Sequence, residues 1–534
     1  MDNNIGKRIA DIRDAQGLTQ SDLDKKNKTT QSAIARIESG TQNITTEMLK
    51  KISHALGKNL VTLSPGTMNV VIEGKKKLSG TIETNTSKNG AVGLLCASLL
   101  NRGVTTLHRM PRIEEVHRIL EVLESIGMGV SWSGSTVTLT PPKKYNLKKI
   151  DVEAARKTRS IIMFIGSLIH TMPEFALPQS GGCKLGSRTV RPHFFALEHF
   201  GIDIRTTETS FEVSRQENRG DARRGQADLR GVLNSTTSKA DGTRNKAAGD
   251  FMDANEIILF ESGDTVTENT LFAAARHTGT TTIKYASANY MVQEICVFLE
   301  RLGVKIEGFG TTTLTVTGAA DINMNIEYTL AEDPTDSMFF IAAAIVTNSA
   351  ITITRCPIEF LELELLVLEK MGLEYTKSKP YFGNNGQVKL VDLKLKPSKL
   401  RASLEKVHSR PYPGLNADNL PFFAVIATQA EGQTLIHDWM YEKRAIYFTE
   451  LEKLGADTVL ADPHRIYITG PTPLRAAELI CPPALRPATI LLIAMLGASG
   501  KSVLRNIYSI NRGYENLVAR LQSLGANINY LEEL

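Results

Sequence analysis

Cysteine is scarce in this chain: there are five in 534 residues, and none lies in a Cys-x-x-Cys or other metal-ligand spacing. That excludes a disulfide framework and gives no sign of a zinc site. Long apolar runs are also missing. The longest, 161–169, 338–346 and 488–496, fall well short of the roughly 18 residues a membrane span needs. The first ten residues, MDNNIGKRIA, carry charge where a secretory leader has its apolar stretch, so the expectation is a cytoplasmic protein with no membrane partner. Charge of one sign is absent too. Sixty-two Lys and Arg against 57 Asp and Glu give a net of +5, too mild for wholesale nucleic-acid binding. The length allows three or four domains with large cores.

What the chain does contain is repetition. A charged, apolar helix end closing on an apolar residue and glycine recurs six times, at Gly127, Gly201, Gly303, Gly372, Gly455 and Gly525. The intervals between them are 74, 102, 69, 83 and 70 residues, a period that points to one supersecondary unit copied along the chain. Each glycine suits a left-handed helix end. The runs that follow, such as Val304-Lys305-Ile306, alternate as half-buried strands do. Three units per lobe give two α/β lobes, the first three closing glycines in one and the last three in the other. The cleft between them would be lined by helix N-termini that favour anions. The 102-residue interval holds an insertion at 216–250, rich in Arg, Asp, Gly, Ser and Thr, which reads as a disordered surface loop. Cys96 and Cys296 sit in apolar helical contexts and read as core, whereas Cys356 and Cys481 carry no signal.

Residues 1–60 stand outside the repeat and read as a small all-α bundle. Gly17-Leu18-Thr19-Gln20 breaks one helix and starts the next, and residues 31–40 form a short amphipathic helix closed by glycine. The order is similar to the helix-turn-helix family of Cro and phage repressors. That resemblance implies a duplex DNA partner, with Gln31 and Ser32 reading base edges and Gln20 and Arg36 on phosphate or bases. Ten basic against seven acidic residues net +3, and the competing reading is a solvated bundle face or a protein-docking module. Residues 61–67, with Pro65-Gly66, read as a linker.

Three segments carry chemistry. Ser87-Lys88-Asn89-Gly90 opens an apolar helix, where a lysine is unfavourable unless it faces an anion. Gly181-Gly182-Cys183-Lys184-Leu185-Gly186-Ser187-Arg188 is a mobile-looking loop offering a thiol among basic groups. Arg444, Arg486 and Arg512 fall in loops late in the chain, and arginine forks bind both oxygens of a carboxylate or phosphate.

These motifs, with Tyr412-Pro413-Gly414 followed by Asp418, Glu442-Lys443-Arg444 and Arg512-Gly513-Tyr514-Glu515, resemble the enolpyruvyl transferase family. Its members act on UDP-N-acetylglucosamine or on shikimate phosphate, and the resemblance points to the first of these. It covers residues 68–534 and implies an inside-out α/β fold of six βαβαββ repeats. One lobe would comprise 68–87 and 332–534 and the other 88–331. It implies transfer of the enolpyruvyl group of phosphoenolpyruvate to the 3-hydroxyl of a UDP-sugar, the first committed step of peptidoglycan synthesis, with no cofactor and no metal. Cys183 would be the acid, Asp418 the base, and Lys88 and Arg188 would join them at the reacting centre. Asn89, Arg159, His193, Glu442, Arg444, Arg486 and Arg512 would hold substrate. An Asx turn is the plainer role for Asp418.

The chain departs from the family pattern on the acceptor side. Thr189-Val190-Arg191-Pro192-His193 keeps the histidine of the uridine segment but puts arginine where an acid is expected. The nucleotide-cradling run is not recognisable around Glu261-Ser262-Gly263-Asp264, and Ala484 replaces an aspartate two residues before Arg486. The alternatives are therefore enolpyruvyl transfer to another nucleotide-type acceptor, or a transcription regulator with an enzyme-derived sensor.

Overall fold

All six closing glycines take positive φ, between +71° and +107°. This backbone region is costly for side chains with a Cβ, and it lets each helix turn directly into the next strand. The computed structural model describes residues 9–10, 12–14, 16–27, 30–38, 48, 51–52, 55–56, 68–179, 189–215 and 255–531. The expected linker at 61–67 and the insertion at 216–250 lie outside the described residues. Two compact units emerge, Met1–Met68 and Asn69–Leu534.

In the first unit, helices Gln20–Asn27 and Gln31–Glu38 follow one another after three residues. Their inward faces meet around Ile9, Leu23, Ile34, Ile37, Ile52 and Leu56. Arg13, nearly buried, clamps the second helix with a fork: Nε lies 2.6 Å from Glu38 Oε1 and Nη2 lies 2.9 Å from Oε2. Such bidentate pairs fix orientation as well as energy.

Among its described residues the second unit has six sheets, and five share one pattern: a parallel pair, then two antiparallel neighbours. That is the order a βαβαββ segment produces. Among the described residues the sheet at 174–215 has three strands and lacks the parallel one. Before it the chain runs Pro141-Pro142-Lys143-Lys144 and then forms a 3₁₀ turn, Leu147–Lys149, packed beside strand Glu174–Pro178. Prolines without N–H donors suppress a ladder there.

The centre of each lobe is helical. The core helices are α1 (Lys88–Ala97), α2 (Asp264–Ala275), α3 (Tyr290–Arg301), α4 (Pro334–Val346), α5 (Leu420–Ala427) and α6 (Leu485–Gly497). Helices α1, α2 and α3 pack together in one lobe, and α4, α5 and α6 in the other. In α5 every residue is buried, as expected of a helix apolar on all sides. The apolar runs at 338–346 and 488–496 are α4 and α6 in this role. Cys96, Cys296, Cys356 and Cys481 are all buried free thiols.

The chain passes between lobes twice, and the passages run side by side. Strand Ser79–Glu83 pairs in parallel with 350–354, and strand Ile326–Thr329 pairs with 105–108. Between them, Thr86 bridges Glu332, Ser87 N donates to Ala331 O at 2.9 Å, and Asp333 N donates to Asn85 O at 2.8 Å. Buried Glu332 accepts from Arg109 of one lobe and, at 2.9 Å, from Arg355 Nε of the other. The two crossings lead straight into α1 and α4.

Candidate active site

The starts of α1, α3, α4 and α6 lie around one cleft: Lys88 N and Tyr290 OH both bond to Asp333, the cap of α4, and Arg486 of α6 lines that cleft with Asp333. Its walls include Asn85, Thr86, Ile113, Asp333, Arg486 and Tyr514. Ser87 caps α1 by accepting from Gly90 N at 2.8 Å, which fixes Lys88 at the first turn. A lysine is unfavourable beside the positive end of a helix dipole, and a carboxylate offsets it here. Lys88 Nζ lies 3.3 Å from Glu115 Oε2, and Arg512 Nη2 lies 3.2 Å from the same oxygen.

Glu115 was not anticipated from the sequence. It is 6 % exposed, and burial alone would raise its pKa, but Lys88 and Arg512 together hold the carboxyl below its ordinary range. Two cations on one carboxylate leave a positive excess suited to an incoming anion. The sequence signals the burial of Glu115 but not its partners. On helix Glu114–Ser125 an acid falls in phase with the buried stripe of Val116, Ile119, Leu120 and Leu123.

Asp418 and Arg486 meet from α5 and α6. Arg486 Nη2 lies 3.0 Å from Asp418 Oδ2, and Nη1 donates to Tyr514 OH at 2.8 Å. Nε of Arg486 is buried and has no partner among the described residues. Burial would raise the Asp418 pKa, but Arg486 and then Arg444 outweigh it and keep the carboxylate ionised below the usual range. Asn416 Oδ1 accepts from Asp418 N at 2.8 Å, so the Asx turn there belongs to Asn416. Asn89 Nδ2 donates to Tyr290 OH at 3.4 Å, and Tyr290 OH donates to Asp333 Oδ1 at 3.5 Å. Asp333 also accepts from Lys88 N at 3.4 Å. Lys88, Asn89 and Arg512 are thus joined through Glu115, Tyr290 and Asp333, three residues the sequence reasoning missed, while Asp418 and Arg486 are tied to Tyr514 of the motif at 512–515.

Other anticipated residues lie elsewhere. Arg444 is 1 % exposed, ion-paired with Asp438, and donates from Nη2 to Ala417 O at 2.6 Å. It braces the backbone next to Asp418 from behind. Glu442 is exposed two residues earlier. His193 is buried between Asn269 and Thr265, at 3.1 and 3.4 Å, and burial followed by the Arg159 charge lowers its pKa to about 3, so it is neutral. Arg159 Nη2 donates to Thr189 O at 3.1 Å, tying down the start of the segment that carries His193. Cys183 and Arg188 lie outside the described residues. In the N-terminal unit Gln31, Ser32 and Arg36 are exposed on one helix, with Arg36 Nε bonded to Ser32 O at 3.1 Å. Gln20 instead donates to Glu38 Oε2 at 2.8 Å, joining the clamp of Arg13.

Comparison with known proteins adds an independent line. The family model described as EPSP synthase (3-phosphoshikimate 1-carboxyvinyltransferase) matches residues 72–239 and 255–521, and a helix-turn-helix model matches 9–63. UDP-N-acetylglucosamine 1-carboxyvinyltransferase from Treponema denticola is 31% identical over 457 residues, 85% of this chain and 97% of that protein. The protein of that name from Bradyrhizobium diazoefficiens is 30% identical over 456 residues, 85% of this chain and 96% of its own. Among solved structures, the enolpyruvyl transferase NikO from Streptomyces tendae superposes with a TM-score of 0.70 at 21% identity, covering 88% of this chain and all of its own. An EPSP synthase from Acinetobacter baumannii gives 0.62 at 15%, covering 87% and 100%.

Proposed function

Since the chain belongs to the EPSP synthase family and is an enolpyruvyl transferase of the UDP-N-acetylglucosamine type, we propose that it moves the enolpyruvyl group of phosphoenolpyruvate onto the 3-hydroxyl of UDP-N-acetylglucosamine. The observation that carries this reading is the pairing of Lys88 and Arg512 through one buried carboxylate beside the Arg486–Asp418 pair. Phosphoenolpyruvate brings a phosphate and a carboxylate, and this cleft offers Lys88 and Arg486 at helix starts, with Arg512 paired to Lys88 through Glu115, to receive them. The relatives at about 30% identity support the UDP-sugar as acceptor.

The chemistry assigned to these residues balances without a cofactor. A proton is added to the CH2 carbon of phosphoenolpyruvate, the neighbouring carbon takes the sugar oxygen, and the hydroxyl gives up its proton. Loss of a methyl proton with the phosphate then restores the double bond. Cys183 is assigned as the acid and Asp418 as the base for the hydroxyl. Arg486 keeps Asp418 ionised, so it is ready to accept a proton once the substrate hydroxyl competes for it. Lys88, Arg188, Arg486 and Arg512 stabilise the charge that develops on the departing phosphate. Arg444 acts through Ala417 as a positioning residue, and Arg159 acts through Thr189.

The test is phosphate release from phosphoenolpyruvate and UDP-N-acetylglucosamine by the intact chain, by Cys183→Ala and by Asp418→Asn. Turnover by the intact chain, with both variants slowed by roughly 10²-fold or more, is expected. No release by folded protein would sink the reading. A second acceptor is favoured by Arg191, exposed at the start of helix Arg191–Glu198, where the uridine segment calls for an acid. Release with a different nucleotide sugar but not with UDP-N-acetylglucosamine would select that reading. For residues 1–60, the helix-turn-helix match and the exposed Gln31, Ser32 and Arg36 support a duplex DNA partner, with Gln20 positioning the reading helix through Glu38.

A further inference from the structure

Six cations crowd a stretch of fifteen residues that the catalytic reading does not use. Lys143, Lys144, Lys148, Lys149, Arg156 and Lys157 are all exposed and are opposed within the stretch by Asp151 and Glu153 alone, a net of +4. The whole chain nets +5 and residues 1–60 net +3, so the other 459 residues together net −2. The positive excess of the chain thus resides in the helix-turn-helix module and in this strip.

The strip is also rigidly presented. Tyr145 and Leu147 are buried and anchor it, leaving the lysines on either side facing outward. Asn146 N donates to Ile126 O at 2.9 Å, and Asp151 N donates to Ser125 Oγ at 2.9 Å, so the backbone is fastened to the end of helix Glu114–Ser125. Asp151 is occupied as a helix cap, accepting from Ala154 N at 2.9 Å. Among the described residues no carboxylate forms an ion pair with any of the six cations. Like charges held together without partners repel one another and destabilise the fold, and that cost is relieved when a polyanion binds.

We propose that residues 143–157 are a second contact for the phosphate backbone of duplex DNA, adding sequence-independent affinity to whatever residues 1–60 read. The proposal rests on the DNA reading of residues 1–60. A lipid surface fits less well. Among the described residues of the strip only Val152 is a large exposed apolar side chain, whereas interfacial segments bury an apolar face in the bilayer.

The experiment uses the full chain and a Lys143→Gln, Lys144→Gln, Lys148→Gln, Lys149→Gln variant. Binding to an arbitrary duplex of about thirty base pairs is followed by fluorescence anisotropy between about 50 and 200 mM salt. Each phosphate that is no longer neutralised makes the slope of log affinity against log salt shallower by roughly 0.9. The variant is therefore expected to bind more weakly, with a slope smaller by about 2 to 4, and to melt no lower than the parent, since removing the repelling charges relieves the fold. Duplex binding with an unchanged slope overturns the proposal and leaves the module's DNA reading standing. If neither protein binds duplex at the lowest salt, both fail together. Binding to phosphatidylserine vesicles that the variant loses, with DNA binding unaltered, would assign the strip to a membrane surface instead.

Discussion

Replacing Glu294 with glutamine should stabilise the protein above neutral pH. Glu294 lies on α3 with 4 % exposure. Its Oε1 accepts from Ala331 N at 2.7 Å, and its Oε2 has no partner among the described residues. Burial, only partly opposed by that hydrogen bond, pushes its pKa up to about 8. In the unfolded chain a glutamate titrates near about 4.3. Between these values the folded protein holds a proton that the unfolded chain has released. Stability contributed by the protonated group is therefore complete below about pH 4 and falls by roughly 1.4 kcal/mol per pH unit up to about pH 8. The loss reaches about 4 kcal/mol at pH 7 and about 5 kcal/mol at pH 8. Glutamine keeps the oxygen that faces Ala331 and has no proton to lose, so the difference between variant and parent should grow steadily across this window. Urea unfolding can follow it in a Trp439→Phe background, where Trp132, in the same lobe as Glu294, is the remaining indole. Midpoints of parent and Glu294→Gln that stay parallel from about pH 5 to 8.5 would refute the reasoning. Glu268, buried on α2 and shifted well upward by burial and by Asp264, should show the same sign.

Two further outcomes follow from the geometry. Glu115→Gln leaves Lys88 and Arg512 without their shared counter-charge, so thermal stability should fall by the equivalent of about 1–3 kcal/mol. Added inorganic phosphate should recover more of that loss than it adds to the parent, and equal protection of both proteins would argue against an anion seat there. Gly303→Ala places a Cβ with nothing within 4 Å at φ +90°, so its cost, about 1–2 kcal/mol in chemical unfolding, is purely backbone. A neutral substitution would show that the left-handed helix ends are not what defines the repeat.

Much of this architecture could be read in the sequence because it rests on local rules. Glycine at a left-handed helix end, strand alternation and wholly apolar helices are each written within a few consecutive residues. Lys88, Asn89, Asp418, Arg486 and Arg512 were legible for a similar reason, since each lies in a short motif at or next to a helix end. Glu115, Tyr290 and Asp333 were not, because their roles arise where separate units meet, and nothing within ten residues of Glu115 announces Lys88 or Arg512. Arg444 shows the opposite failure. Its motif pointed to a ligand contact, but burial against Asp438 and Ala417 decides its place, and that burial depends on how the loop before α5 folds back. His193 likewise matched a segment by type, while packing against Asn269 sets its charge.

The position of strand Asn69–Glu73 bears on how the molecule is made. It is not an edge strand, for it lies between 501–505 and 527–531, hydrogen-bonded to both. Its neighbours are therefore synthesised more than 400 residues after it. The lobe containing α1, α2 and α3 can assemble from one continuous stretch as it leaves the ribosome. The other lobe must keep its first strand unpaired until the final sheet arrives, and closing so long a loop is slow. Biogenesis is therefore sequential, one lobe maturing during translation and the other only at its end. A ribosome stalled before residue 500 would release a chain with a ready helix-turn-helix module, one finished lobe and an open strand available to partners it should not meet.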